Sequence, residues 1–131
     1  MITIDTHIII WDALEPGKLN ERAKKEIAKA NKSDGIIICD ISLWEIAMLV
    51  KKGRIQIRAS YLEFIDLVKT SNYYIIQSIT PEIAELSTTL PSEINGDPAD
   101  RLIAATSIFT HTPLLTADKN LLQADILNTI W

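Results

Sequence analysis

Apolar residues in this chain fall into two kinds of run. Short, nearly continuous runs rich in β-branched residues alternate with longer stretches in which apolar positions recur at helical spacing. Ile2-Thr3-Ile4 reads as a strand that ends at Asp5-Thr6, and residues 7–13 read as an apolar helix. Glu15-Pro16-Gly17 breaks that pattern. Residues 20–32 carry a weak apolar stripe of Ala23, Ile27, Ala28 and Ala30 among lysines, which predicts a helix. Asp34-Gly35 turns the chain into the strand Ile36-Ile37-Ile38-Cys39. Ser42 starts a helix through Val50 that stops near Gly53. It is apolar on every side and so is expected to be buried. A further helix over 59–69 precedes a strand over 73–76, rich in β-formers. Pro81 opens a helix to about Leu90, residues 91–96 form a loop, and Pro98 opens a helix to about Phe109. Leu114-Leu115 and residues 128–131 complete the set as strands. Alternation of this kind predicts a three-layer α/β fold, a central, mostly parallel sheet covered by helices. The 131 residues suffice for one domain with one core.

Acids punctuate this pattern at particular places. Asp5, Glu45, Asp97, Asp100 and Asp118 each follow a strand run or open an apolar helix. In an open α/β sheet those turns lie on one edge, beyond the carboxyl ends of the strands. Carboxylates gathered there raise one another's pKa unless a cation joins them. The economical solution is a divalent-metal site, and with it an enzyme directed at phosphates. Each acid also has a local structural role open to it. Ser42 and Glu45 fit a capping box, Asp97 an N-cap before Pro98, Asp100 the first helical turn, Asp118 an Asx turn, and Asp5 a cap. Two features favour a shared site. Glu45 and Asp100 lead into apolar helices, where a carboxylate needs a partner, and Arg101 is the one basic residue near Asp100. The acids also recur in a fixed order relative to strands and helices.

Composition narrows the field. An apolar fraction of 47% and a charged fraction of 23% are those of a globular protein. The net charge of −4 argues against nucleic-acid binding by bulk charge, though not against a nuclease whose own site adds acids. Lys51, Lys52, Arg54 and Arg58 form the densest basic stretch; it is either a solvated face or a contact for RNA phosphates or an acidic partner. His7 and His111 sit in no zinc-binding pattern, and His7 reads as a packed or surface residue near the first acid. Trp11, Trp44 and Trp131 read as core or interface rather than as base-stacking platforms. The single Cys39, in an apolar run, reads as a buried thiol in a reducing, cytoplasmic setting. No basic segment followed by an apolar one opens the chain, so no secretory signal is expected. No apolar stretch approaches the ~20 residues that would cross a bilayer, so no membrane association is expected.

The stretches Asp5-Thr6-His7, Ile41-Ser42-Leu43-Trp44-Glu45-Ile46, Gly96-Asp97-Pro98-Ala99-Asp100-Arg101-Leu102-Ile103-Ala104-Ala105 and Thr116-Ala117-Asp118, in this order, resemble the PIN domain family of metal-dependent nucleases. The resemblance spans the chain and is strongest to its VapC-like ribonuclease toxins. It implies that Asp5, Glu45, Asp100 and Asp118 are the four catalytic, metal-binding acids. Thr6 and Thr116 match positions where the family often carries a hydroxyl beside the site, and Asp97 is auxiliary. It implies Mg²⁺ or Mn²⁺ as cofactor, hydrolysis of single-stranded RNA, a cognate antitoxin as partner and a homodimer. A housekeeping RNA-processing nuclease of the same fold, and a catalytically silent binding module whose acids serve as caps, stand as alternatives. Small size without an added RNA-binding domain favours the toxin over the housekeeping enzyme.

Overall fold

A computed structural model describes residues 1–131. In chain order it contains β1 (Ile2–Ile4), α1 (Thr6–Leu14), α2 (Glu21–Asn31), β2 (Ile36–Cys39), α3 (Ile41–Lys51), α4 (Tyr61–Ser71), β3 (Tyr74–Gln77), α5 (Pro81–Thr89), α6 (Pro98–Phe109), β4 (Leu114–Leu115), α7 (Lys119–Leu122) and β5 (Thr129–Ile130). The strands form one sheet in the order β3-β2-β1-β4-β5. Every pairing is parallel, with Ile2 opposite Ile36, Thr3 opposite Leu114 and Ile36 opposite Tyr74.

Parallel strands need crossover helices, and these cover both faces of the sheet. On one face Ile2, Ile4, Ile36 and Ile38 meet Ile8 to Ile10 of α1, Ala23 and Ile27 of α2, Ile46 of α3 and Phe64 and Val68 of α4. On the other, Cys39 and Leu114 meet Ile83, Ile103 to Ala105 and Leu121 of α5, α6 and α7. Cys39 is a buried free thiol. The alternation within β2, Ile36 and Ile38 to one side and Cys39 to the other, is the period-two signature of a strand buried on both faces. Gly35 enters β2 at φ +98, and a Cβ there would lie 3.0 Å from the Tyr73 carbonyl oxygen, so both backbone angle and space require glycine.

Most predicted elements are present, with ends shifted by one or two residues. The differences have local causes. The helix expected from Ser42 begins at Ile41, and Ser42 is buried inside it rather than capping it. That helix is not buried all round. Only Ser42 and Ile46 are buried, and Trp44 is 57% exposed. A helix laid on the outside of a sheet buries one stripe whatever its other faces contain. The helix expected from 59 starts at Tyr61 because the Ser60 side chain caps it. Strand β3, at the sheet edge, is half-buried throughout. No helix is long and apolar enough to cross a membrane.

The strand order positions the site. From β1 the chain moves outward through β2 to β3, then crosses back to place β4 on the other side of β1. The winding direction therefore reverses between β1 and β4, and such reversals open a crevice at the carboxyl edge of the sheet.

Candidate functional site

At that crevice lies a cavity of about 330 Å³ lined by Asp5, Glu45, Asp97, Asp100 and Asp118, together with His7, Trp11 and Ala117. All five acids singled out in the sequence meet there. Asp5 arrives from the end of β1, Glu45 from α3, Asp97 and Asp100 from the start of α6, and Asp118 from the turn after β4.

The capping roles and the shared cavity coexist for three of the acids. Asp5 caps α1, its Oδ1 accepting the Thr6 N–H at 2.7 Å, while Oδ2 accepts the Thr116 hydroxyl at 2.7 Å. Thr116 Oγ1 in turn accepts the Asp118 N–H at 3.0 Å, so one buried hydroxyl ties the acid after β1 to the acid after β4. Asp97 caps α6 through the N–H groups of Ala99 and Asp100. Asp118 caps α7, accepting from Leu121 at 3.0 Å. Glu45 is the exception. The capping box with Ser42 does not form, because the helix starts before Ser42; Glu45 Oε1 instead accepts the hydroxyl of Thr6, which also pairs with Ser42 Oγ at 2.9 Å. Asp100 Oδ2 accepts the side-chain amide of Asn95 at 3.0 Å. Glu45, Asp100 and Asp118 thus each use one oxygen for anchoring and keep the other without a protein partner.

Burial dominates the electrostatics. It pushes the Asp5, Glu45 and Asp100 carboxyls above their ordinary range, Asp100 up to about 7. Hydrogen bonds from Thr116, Thr6 and Asn95 respectively oppose this, and neighbouring acids add to it. No three His, Cys, Asp or Glu side chains converge at metal-ligand spacing.

The PIN domain family profile matches residues 2–127. Ribonuclease VapC22 of Mycobacterium tuberculosis is 35% identical over 120 residues, spanning 92% of this chain and 88% of that protein. The chain belongs to the PIN domain family. In solved structures its backbone resembles VapBC2 from Rickettsia felis bound to a promoter DNA fragment, with TM-score 0.74, 18% identity and coverage of 99% of this chain and 98% of that one. It also resembles a toxin–antitoxin complex from Klebsiella pneumoniae, with TM-score 0.68, 21% identity and coverage of 100% and 97%.

Several residues of this PIN domain stand where sequence alone did not place them. Arg101, the one basic residue near Asp100 in sequence, turns away from it. Its guanidinium donates to the carbonyls of Ser87, Leu90 and Ile94 and so ties α6 to the end of α5 and the loop that follows. The basic run divides. Lys52 and Arg54 line a second cavity of about 560 Å³ with Trp44, Met48 and Leu49, and that cavity shares Glu45 and Asp97 with the acidic one. Arg58 faces a different cavity with Asp12 and Asn72, and Lys51 lines none of these. Ser42, read only as a helix cap, instead pairs with the Thr6 hydroxyl, and Asn95 carried no reading at all. Ser42 stands three residues before Glu45 on one helical face, a spacing that was legible. Asn95 reaches Asp100 through loop geometry that no periodicity encodes. Trp11 packs against the core as expected, yet it also lines the acidic cavity with exposed His7.

Proposed function

We propose that this PIN domain is a divalent-metal-dependent endoribonuclease, the toxin of a type II toxin–antitoxin pair. The observation that carries the proposal is the meeting of Asp5, Glu45, Asp100 and Asp118, from four separate parts of the chain, in one cavity at the sheet reversal. Caps alone would not require their convergence. The donor set is all oxygen and strongly anionic, which suits Mg²⁺ or Mn²⁺ and not a soft metal. Asp5, Glu45, Asp100 and Asp118 would hold the ion directly or through water. When bound, such an ion neutralises charge on a phosphodiester and makes an attacking water more acidic.

The chain's own groups orient these acids. Thr116 and the Thr6 N–H fix both oxygens of Asp5, the Thr6 hydroxyl holds Glu45, and Asn95 holds Asp100. Such outer contacts fix ligand direction before substrate arrives. Exposed Lys52 and Arg54, on the rim shared with Glu45 and Asp97, offer contacts for RNA phosphates, and neither joins an ion pair. RNA as substrate is supported by the 35% identical relative, named a ribonuclease. An antitoxin partner is supported by a fold relative whose own structure is a toxin–antitoxin complex. We further assign a homodimeric, cytoplasmic protein, to which the exposed apolar side of α3 around Trp44 and the free thiol of Cys39 are suited.

Cleavage of a mixed RNA with and without Mg²⁺ or Mn²⁺ tests the proposal. Asp5→Asn, Glu45→Gln, Asp100→Asn and Asp118→Asn should each lower the rate by roughly a hundredfold or more, as loss of a charge-stabilising group does, with circular dichroism unchanged. Metal-independent cleavage, or full activity in Glu45→Gln, would overturn it.

A further inference from the structure

One wall of the acidic cavity is aromatic, and nothing in the acid chemistry uses it. His7 and Trp11, one helical turn apart on α1, both line the cavity that holds the carboxylates. Their ring centroids lie 6.0 Å apart at an interplanar angle of 58°, so they do not stack face on face. Trp131 braces Trp11 from another side at 6.1 Å and 50°. Lys18 places its ammonium 5.9 Å from the Trp11 ring centroid. His7 is exposed and Trp11 half-buried. A braced indole beside an exposed imidazole, with a cation over it, forms a rigid aromatic ledge beside an anionic centre.

We infer that the His7–Trp11 ledge is a nucleobase subsite, on which a base neighbouring the scissile phosphate of a single-stranded RNA stacks. This rests on the ribonuclease reading of the acids. A molecule whose phosphodiester occupies the carboxylate centre must present its next chemical group to the walls of the same cavity. For a single strand that group is a base, whose π-face stacks on aromatic side chains with little regard to sequence. Duplex RNA keeps its bases stacked on each other and has none to give. Lys18, its partner Glu15 3.1 Å away and its side chain 54% exposed, holds its ammonium over the same indole. The adjoining cavity, which shares Glu45 and Asp97, carries Trp44 with Lys52 and Arg54. A strand laid across both cavities would therefore meet an aromatic and a cation at each. The ledge differs from the basic rim in what it recognises: bases rather than charge.

Removing a base isolates the subsite. Affinities of short fluorescein-labelled single-stranded RNAs would be measured by anisotropy with Mg²⁺ in an Asp100→Asn background, where cleavage is suppressed. One abasic nucleotide would be walked along the strand. The background protein should prefer the intact strand over one of the abasic strands by about tenfold, the range of one base–aromatic stack. Trp11→Leu, which keeps apolar bulk, should erase that preference, and Trp11→Phe should restore most of it. His7→Ala, at an exposed site, should reduce it in part and serves if Trp11→Leu does not fold. Because the readout is a ratio between strands, a general loss of affinity cancels. Equal weakening of intact and abasic strands, or a preference that survives both Trp11→Leu and His7→Ala, would overturn the subsite while leaving the ribonuclease reading intact. A background protein that binds no strand, together with a wild type that cuts none, would overturn both.

Discussion

Helices α3 and α6 look alike in sequence and meet opposite fates. Each is apolar over most of its length, and each carries an acid in its early turns, Glu45 and Asp100. Helix α6 buries Ala99, Ile103, Ala104, Ala105, Thr106 and Ser107, because small residues let it settle between the sheet and α5. Helix α3 buries only Ser42 and Ile46, leaving Trp44 outside and Met48 and Leu49 half-covered along a cavity wall. Their acids are held differently too. Asp100 leans on a loop residue, Asn95, and Glu45 on Thr6 of a neighbouring helix. Apolar patterning thus reports that a surface needs covering, and not what covers it. In α6 the fold does so; in α3 one side stays open, with Trp44 exposed.

The largest expected effect separates the two helices by stability. Ile103→Ala removes a fully buried side chain of α6 and should cost about 3–4 kcal/mol, whereas Met48→Ala on α3 should cost under about 1 kcal/mol. Urea unfolding measures both. Comparable losses would mean that α3 is as much core as α6.

A smaller effect concerns what anchors α6. Arg101→Ala leaves the carbonyls of Ser87, Leu90 and Ile94 without their charged donor and should cost about 2 kcal/mol. If Arg101 served mainly to neutralise Asp100, combining it with Asp100→Asn would remove most of that loss. The clamp geometry instead predicts that the two changes add, as sites without shared partners do. A double-mutant cycle on unfolding free energies decides between them.

A further effect is a pH slope. Asp100 has a folded pKa of about 7 against an ordinary value of 3.8, chiefly through burial, and Asp5 and Glu45 are raised for the same first reason. In this window the folded protein binds protons that the unfolded chain has already released. Stability of the metal-free protein should therefore fall as pH rises from about 4 to about 7 and level off above, apart from other groups. Asp100→Asn should flatten the slope and raise Tm by a few degrees near neutral pH. Thermal melts in EDTA across that range check the sign; a wild type that gains stability over the window would contradict it.

Strands and acids were legible because their signals are local. The β-branched run Ile2-Thr3-Ile4 ending at Asp5, and Asp-Pro openings such as Asp97-Pro98, announce themselves without tertiary context. The three layers followed from alternation alone. What stayed hidden depends on distant chain segments. The Thr6–Glu45 contact spans 39 residues, Arg101 chooses carbonyls 7 to 14 residues away over its neighbour Asp100, and the exposure of Trp44 depends on which helices pack beside α3. Helix α7, at four residues, is too short for periodicity to reveal. His111, read only as a histidine outside any zinc pattern, sits at φ 55 just beyond α6, where the turn ending the helix adopts the left-handed region.

The central claim is that acids from separate elements form one cation-dependent centre, and a Mn²⁺ titration followed by thermal melting tests it most directly. An ion that binds only the folded protein stabilises it by about 2.7 kcal/mol at a hundred times its Kd. Wild type should climb in Tm with Mn²⁺ concentration, while Asp5→Asn and Asp100→Asn should each respond far less. An equal rise in all three proteins would show that the ions act elsewhere, and would contradict a shared metal centre at the carboxyl edge of the sheet.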